Sequence, residues 1–246
     1  LIHGRRFTVE NLKKLLQSVP VTCADAAFAG FCSALAVLTP DQKRAGAVVI
    51  DLGGGTTDYA VYNAGVVKLA GSIAVGGSHV TEDICSGLNI NRRQAEALKK
   101  ESGCAVINAM DSEQSISVPS DGGFSGRVVR SVTLHTIINA RMEETFRLIA
   151  DQIESNGLSG VLSAGIVLTG GGSALGGTVD LAQQVFNAPA QIGKVTNCIG
   201  LSTKKEGARF SAVIGAVRYV ADQQSAEPKR AGPVKEWFRK LWGGSS

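Results

Sequence analysis

The sequence predicts an α/β fold. Two places where an apolar strand runs into consecutive glycines, with stretches of helical period around them, carry that prediction. Composition agrees, because 30 glycines, 44% hydrophobic residues and only 5% aromatics suit a chain with many helix–strand junctions, where glycine is used heavily. At 246 residues the chain is long enough for one large domain or two small ones.

Residues 7–18 place Leu12, Leu15 and Leu16 at helical spacing behind Thr8 as a cap, predicting a short amphipathic helix. Residues 26–38 form a small-residue helix whose lack of charge predicts burial, stopped by Thr39-Pro40-Asp41. Strands are predicted over 47–50 and 59–62, on either side of the first glycine run, and over 66–70 after Asn63-Ala64-Gly65, making a β-meander. Helices over 78–88 and 92–101 follow, the second capped by Asn91. The Ser-, Gly- and Asp-rich stretch 111–126 reads as a loop or hairpin, and a long helix over 131–156 ends at Asn156-Gly157. The second glycine junction, Leu168-Thr169-Gly170-Gly171-Gly172-Ser173, is followed by a helix over 176–186, a strand over 190–193 and a helix over 208–222. A polar linker then leads to a last periodic segment.

Several function classes fall away. The net charge is +4, but Lys229, Arg230, Lys235, Arg239 and Lys240 all lie near the C-terminal end, so the body is close to neutral and nucleic acid is not expected as a partner. The 5 cysteines, Cys23, Cys32, Cys85, Cys104 and Cys198, are scattered without a C-x-x-C pair, which fits small core residues in a reducing cytoplasm better than zinc or disulfides. No apolar run approaches the roughly 18–20 residues of a membrane span, and no secretion signal opens the chain. The opening Leu1-Ile2-His3 reads as the end of a strand, so a fragment is expected.

A strand that ends in Asp51 and runs through Gly53, Gly54 and Gly55 into Thr56 and Thr57 presents consecutive backbone N–H groups in a tight turn. Phosphate oxygens fit such a cradle, the threonines add hydroxyls, and Asp51 is placed to serve magnesium through water, since that ion keeps much of its hydration shell. A plain hairpin turn is the bland alternative. The string Asp-Leu-Gly-Gly-Gly-Thr-Thr-Asp is more specific than a lone G-x-G-x-x-G, and it leads into a strand rather than the helix a dinucleotide fold needs. The second junction lets a ligand approach Gly170, Gly171, Gly172 and Ser173, ahead of a helix whose N-terminus favours anions or polar groups; helix–strand packing is the alternative there.

At these residues the chain resembles the actin, Hsp70 and sugar-kinase superfamily, which carries a D-x-G-G-G-T-x-D phosphate motif and a T-G-G-G-S adenosine motif. Within it the likeness is to the FtsA type of bacterial cell-division protein and covers nearly the whole chain. Ala36-Val37-Leu38-Thr39, Gly76-Gly77 with Val80-Thr81 and Asp83-Ile84, Ala95-Glu96-Ala97-Leu98-Lys99, Gly103-Cys104-Ala105, Arg141 and Gln184-Val185-Phe186 support it. The resemblance implies an actin-like ATPase (ribonuclease-H-like) fold, a mixed sheet with flanking helices, lacking the N-terminal half-domain and its first phosphate loop. It implies ATP with Mg2+ in the cleft between halves, phosphates on Gly53, Gly54, Gly55, Thr56 and Thr57, and adenosine against Gly170, Gly171, Gly172 and Ser173. Glu96 and Lys99 would reach the ribose or base edge, with a surface salt bridge as the alternative. An alignment puts Ala29 where the family often carries a polar residue that orders the attacking water, so weak or no ATP turnover is expected and no catalytic residue is assigned.

Val234, Trp237, Phe238, Leu241 and Trp242 share one helical face while Lys235, Arg239 and Lys240 occupy the others, a pattern that suits lying on an anionic membrane. Docking on a protein is the alternative. The resemblance implies the same, with self-association into filaments, FtsZ and other divisome proteins as partners, and a place on the cytoplasmic face of the membrane at the division site. The organisation expected is 1–45 as the end of a first lobe, 46–222 as a nucleotide-binding lobe, 223–232 as linker and 233–246 as membrane-targeting helix. A phosphoryl-transfer enzyme and a chaperone-like ATPase of the same superfamily remain open alternatives.

Overall fold

A computed structural model describes residues 6–226 apart from 21, 24, 122, 124, 125, 197 and 199–203. The tail, with Val234, Lys235, Trp237, Phe238, Arg239, Lys240, Leu241 and Trp242, lies outside the described residues, as does most of the linker.

The helices are α1 (Arg6–Leu16), α2 (Ala29–Val37), α3 (Pro40–Ala45), α4 (Gly77–Leu88), α5 (Arg92–Ser102), α6 (Ser131–Ser155), α7 (Thr178–Phe186), α8 (Lys204–Arg209) and α9 (Ser211–Ala226). The strands are β1 (Ala47–Leu52), β2 (Thr57–Asn63), β3 (Val66–Ile73), β4 (Ser115–Val118), β5 (Arg127–Arg130), β6 (Ile166–Thr169) and β7 (Ala190–Ile192). Five of these strands form a sheet in the order β3-β2-β1-β6-β7, and β4 with β5 makes a separate hairpin. Strand β1 runs antiparallel to β2 and parallel to β6, so the sheet is mixed.

Both faces of this sheet are covered, which is why β1 reads as a near-continuous apolar run rather than an alternating one. Val48, Ile50, Leu52, Tyr59, Val61, Ile166 and Leu168 pack with α4, α5, α6 and α7. Ala47, Val49, Ala60, Tyr62 and Val167 pack with α2 on the other face, with Ile214 of α9 against them. Side-chain alternation along the strands therefore puts Asp51, Asp58 and Thr169 on the α2/α9 side. Helix α6 buries Leu134, Ile138, Met142, Phe146, Ile149 and Ile153 in a stripe at helical period. Its Arg141 holds Asp83 of α4 in a two-pronged pair at 2.6 and 3.0 Å, and His135 bridges Asp111 at 2.7 Å and the Ser102 carbonyl at 2.9 Å.

Several boundaries differ from the sequence reading. Helix α1 begins two residues before Thr8, so Thr8 lies inside the helix rather than capping it. Helix α2 begins three residues later than the sequence suggests, at Ala29, with Phe28 in extended backbone before it and no side-chain cap. Helix α2 ends at Val37, ahead of Thr39-Pro40-Asp41 as expected, but Thr39-Pro40 also starts α3, with a reciprocal Thr39/Gln42 cap and proline in the first turn. The last helix runs on to Ala226, four residues into the stretch read as linker, because nothing from Asp222 to Ala226 breaks a helix. Of the cysteines only Cys32 is buried; Cys23 and Cys198 are exposed.

Candidate functional site

The β1–β2 connection closes at the Leu52–Thr57 pair, leaving residues 53–56 as the turn. The Gly53 amide donates to the Thr56 carbonyl at 3.0 Å across it. The turn is held from outside by the first residues of α4. The Gly77 amide donates to the Gly53 carbonyl at 2.9 Å and the Ser78 amide to the Gly54 carbonyl at 2.8 Å. Helix N-termini carry amides without intrahelical partners, and here the turn supplies the acceptors. Gly76 permits that approach, since a Cβ there would lie 2.7 Å from the Gly54 oxygen and 2.8 Å from the Gly53 oxygen.

The orientation of the turn follows. A trans peptide is planar with its N–H opposite its C=O, so carbonyls of Gly53 and Gly54 directed at α4 send the next amides, of Gly54 and Gly55, the other way. Those two amides make no hydrogen bond among the described residues, and both glycines are exposed. A Cβ on either would meet nothing within 4 Å. Thr56 is exposed beside them, but Thr57 is fully buried and its hydroxyl donates to the Val75 carbonyl at 2.8 Å. The hydroxyl proton of Thr57 is thus spent on the link between β3 and α4 and is not free for a phosphate, a correction to the sequence reading.

The parallel pairing of β1 with β6 sets Asp51 beside Thr169 and brings the two glycine junctions together. Gly170 has φ +81° and lies so close that a Cβ would sit 2.3 Å from Asp51 Oδ1. A Cβ on Gly172 would sit 2.8 Å from Leu52 Cβ. After Gly170 the second junction folds into a 3-10 turn, Gly171–Ala174, and α7 starts only at Thr178, so no α-helix N-terminus stands directly behind the glycines. Ser173 is buried and donates to the Gly170 carbonyl at 2.7 Å, closing its own turn. It also borders a cavity of about 270 Å³ lined with Ala174, Gly176, Thr178, Ile192 and Ala208.

Asp51 Oδ2 accepts from Ser33 of α2, and no donor among the described residues reaches Oδ1. Burial pushes the Asp51 carboxyl up, the Ser33 hydrogen bond pulls it down, and the Asp58 carboxylate, paired with it across the ladder, pushes it up; the net direction is upward. A cation beside it would reverse that. One carboxylate with a free oxygen fits a magnesium ion that keeps its own waters, not one caged by protein oxygens.

Lys99 is 2.6 Å from Glu96, and its ammonium also donates to the Gly77 carbonyl and to Thr81 Oγ1, at 2.8 Å each. Those contacts use its three protons. The pair therefore grips the start of α4 directly behind the glycine turn, a more definite arrangement than the surface ion pair considered from sequence. Burial pushes the Glu96 carboxyl up, but hydrogen bonds from Lys99, Thr81 and Lys100 outweigh it and bring it to about 2.

The family model of Cell division protein FtsA matches residues 48–215. The chain belongs to the FtsA family. It is 34% identical to Cell division protein FtsA of Neisseria meningitidis serogroup B over 238 residues, 96% of this chain and 58% of that protein. With the Escherichia coli K12 protein it shares 31% over 244 residues, 94% of this chain and 58% of the relative, so the chain spans little more than half the length of either. Among solved structures, MreB5 of Spiroplasma citri bound to ADP matches with a TM-score of 0.71 at 20% identity, covering 92% of this chain and 69% of that one. The MamK double helical filament matches at 0.66 and 16%, covering 89% and 66%. The fold is actin-like.

Within this FtsA-type lobe, the structure adds residues that the motif did not single out. Asp58 was part of the quoted string without a role, and the ladder sets it opposite Asp51. Ser33 was invisible because a serine in a small-residue helix reads as filler; its signal is that it is the one hydroxyl in the run Ala-Gly-Phe-Cys-Ser-Ala-Leu-Ala-Val. Ala29 stands one turn before Ser33, at the start of α2.

The Glu96 carboxyl is held below its ordinary 4.5, so its contribution to stability is full above that value and is lost as pH falls toward about 2. Replacing Glu96 by Gln should cost stability near neutral pH, and the gap between wild type and variant should narrow steadily from about pH 5 to about pH 3. Urea unfolding at each pH checks this. A gap that stays constant would show that the carboxylate charge is not what the network uses.

Proposed function

We propose that this FtsA-type chain supplies one wall of a site for ATP with Mg2+, and that nucleotide-dependent self-association presents its C-terminal segments to an anionic membrane, tethering FtsZ filaments at the division site. The observation that carries the nucleotide part is the pair of amides on Gly54 and Gly55, which have no partner among the described residues and are directed away from α4 in an open turn beside Asp51. Backbone amides held in this way bind phosphate oxygens. Asp51 would hold magnesium through its waters, and the ion would neutralise charge between phosphate oxygens. Gly170, Gly171, Gly172 and Ser173 would border the adenosine, the cavity beside Ser173 giving the base room; Glu96 and Lys99 would act from behind the turn by fixing α4. Binding rather than rapid turnover is the expected role, since Ala29 offers no group to order a water.

For the membrane part the support is the aromatic face of Trp237, Phe238 and Trp242 with Lys235, Arg239 and Lys240 around it. One such short helix binds reversibly, with about 1 kcal/mol from each basic residue near an anionic surface. Filaments would multiply the attachment by avidity, which links nucleotide, polymer and membrane in one device. MamK is solved as a double helical filament, and the shared fold makes end-to-end assembly of this chain a coherent part of the reading.

Two outcomes test the halves separately. Gly54→Val adds a side chain where nothing stands within 4 Å, so unfolding stability should change by less than about 0.5 kcal/mol while ATP affinity in isothermal titration falls at least about tenfold. Undiminished affinity would remove the turn from the phosphate site. Trp237→Glu with Trp242→Glu should abolish co-sedimentation with vesicles containing phosphatidylglycerol; retention of the variant in the pellet would sink the membrane role.

A further inference from the structure

Ser33 and Ser211 are both fully buried between the sheet and the α2/α9 layer. An alanine would suit either place if packing were the only requirement, because a buried hydroxyl is costly without partners. The two hydroxyls instead form a chain that ends on the site. Ser33 Oγ donates to Asp51 Oδ2, and Ser211 Oγ donates to Ser33 Oγ at 3.3 Å. The direction is forced, since a hydroxyl has one proton and Ser33 spends it on the carboxylate, leaving only its lone pairs for Ser211.

The chain fixes which carboxylate oxygen is free. Oδ2 is taken by Ser33, and Oδ1, beside a Gly170 that carries no Cβ to cover it, meets no donor among the described residues. Helix α9 reaches Ser33 only because of how it crosses α2. A Cβ on Gly215 would be 1.7 Å from the Cys32 carbonyl oxygen, so the two backbones touch, and Arg218 donates to the Leu35 and Ala36 carbonyls at 3.0 Å each. Two contacts of different kinds thus set the seat of α9, and Ser211 stands at its first residue.

We propose that Ser33 and Ser211 are positioning residues for the hydrated magnesium ion: together they hold the Asp51 carboxylate so that Oδ1 alone faces the ion's water, which makes the seating of α9 on α2 part of the nucleotide site. This rests on the reading of Asp51 as the carboxylate that serves magnesium. By reciprocity, an ion whose binding depends on the Ser211 contact must in turn steady the first turn of α9. The helix that leads to the C-terminal segment is then coupled to what occupies the site.

The test uses the full chain as wild type, Ser33→Ala, Ser33→Thr, Ser211→Ala and Asp51→Asn. ATP affinity is measured by isothermal titration with Mg2+ and with EDTA, and backbone hydrogen exchange is followed in α9. Wild type should bind more tightly with Mg2+, and Asp51→Asn should lose that increment. Ser33→Ala should lose about tenfold with Mg2+ and little with EDTA, Ser211→Ala a smaller share, and Ser33→Thr, which keeps the hydroxyl, should recover most of it. Mg2+ with ATP should slow exchange at Ser211 and the residues after it in wild type but not in Ser33→Ala. Equal losses with and without Mg2+ would mean packing alone and overturn the inference, as would a Ser33→Ala protein with the full increment while Asp51→Asn lacks it. If Ser33→Ala does not fold, Ser211→Ala and Ser33→Thr decide by the same comparison. Wild type indifferent to Mg2+ would instead overturn the reading of Asp51, and the positioning role with it.

Discussion

The hydrogen bonds from the Gly77 and Ser78 amides to the Gly53 and Gly54 carbonyls orient everything else at the site. A glycine turn alone is floppy, since each residue has access to left- and right-handed backbone. Anchored by its carbonyls to a helix start, the same turn has one orientation, with its following amides outward. Helix α4 is itself pinned, by Arg141 to α6 and by Lys99 to α5, so the turn inherits the rigidity of three helices. Lys99 brings positive charge to the first turn of α4, close behind the cradle, while Glu96 and Lys100 complete the network. Preorganisation of this kind lowers what ligand binding must spend on ordering the loop.

The second constraint is the parallel pairing of β1 and β6, which makes two glycine runs about 115 residues apart in sequence into neighbours at the C-terminal ends of two central strands. Gly170 explains why glycine is needed there and not merely tolerated. Its positive φ and its closeness to Asp51 leave no room for a side chain, so backbone borders the carboxylate beside Oδ1 while Ser33 holds Oδ2.

Much of this was legible in the sequence, and the reasons are local. Strands β1 and β2 announced themselves by apolar runs around a glycine turn, α5 by the Asn91 cap and α6 by a long helical period, because these signals depend on near neighbours in the chain. What stayed hidden depends on tertiary contact. Thr57 looked like a free donor until the Val75 carbonyl came over it, Ser33 looked like filler until α2 met the end of β1, and the 3-10 turn after Gly170 was indistinguishable from a helix start. The α3 helix was lost for a different reason: Thr39-Pro40 is as good a helix start as a helix stop, and only the Gln42 side chain folding back on Thr39 decides.

The claim on which the account stands is that the Gly54 and Gly55 amides hold phosphate. Amide shifts in a nitrogen-15 labelled chain, recorded as ATP and Mg2+ are added, test it most directly. The account predicts large shifts at Gly54 and Gly55, with Gly77 and Ser78 still protected from exchange because their carbonyl partners are unchanged. Gly54 and Gly55 signals that stay in place while ATP saturates the protein would contradict it.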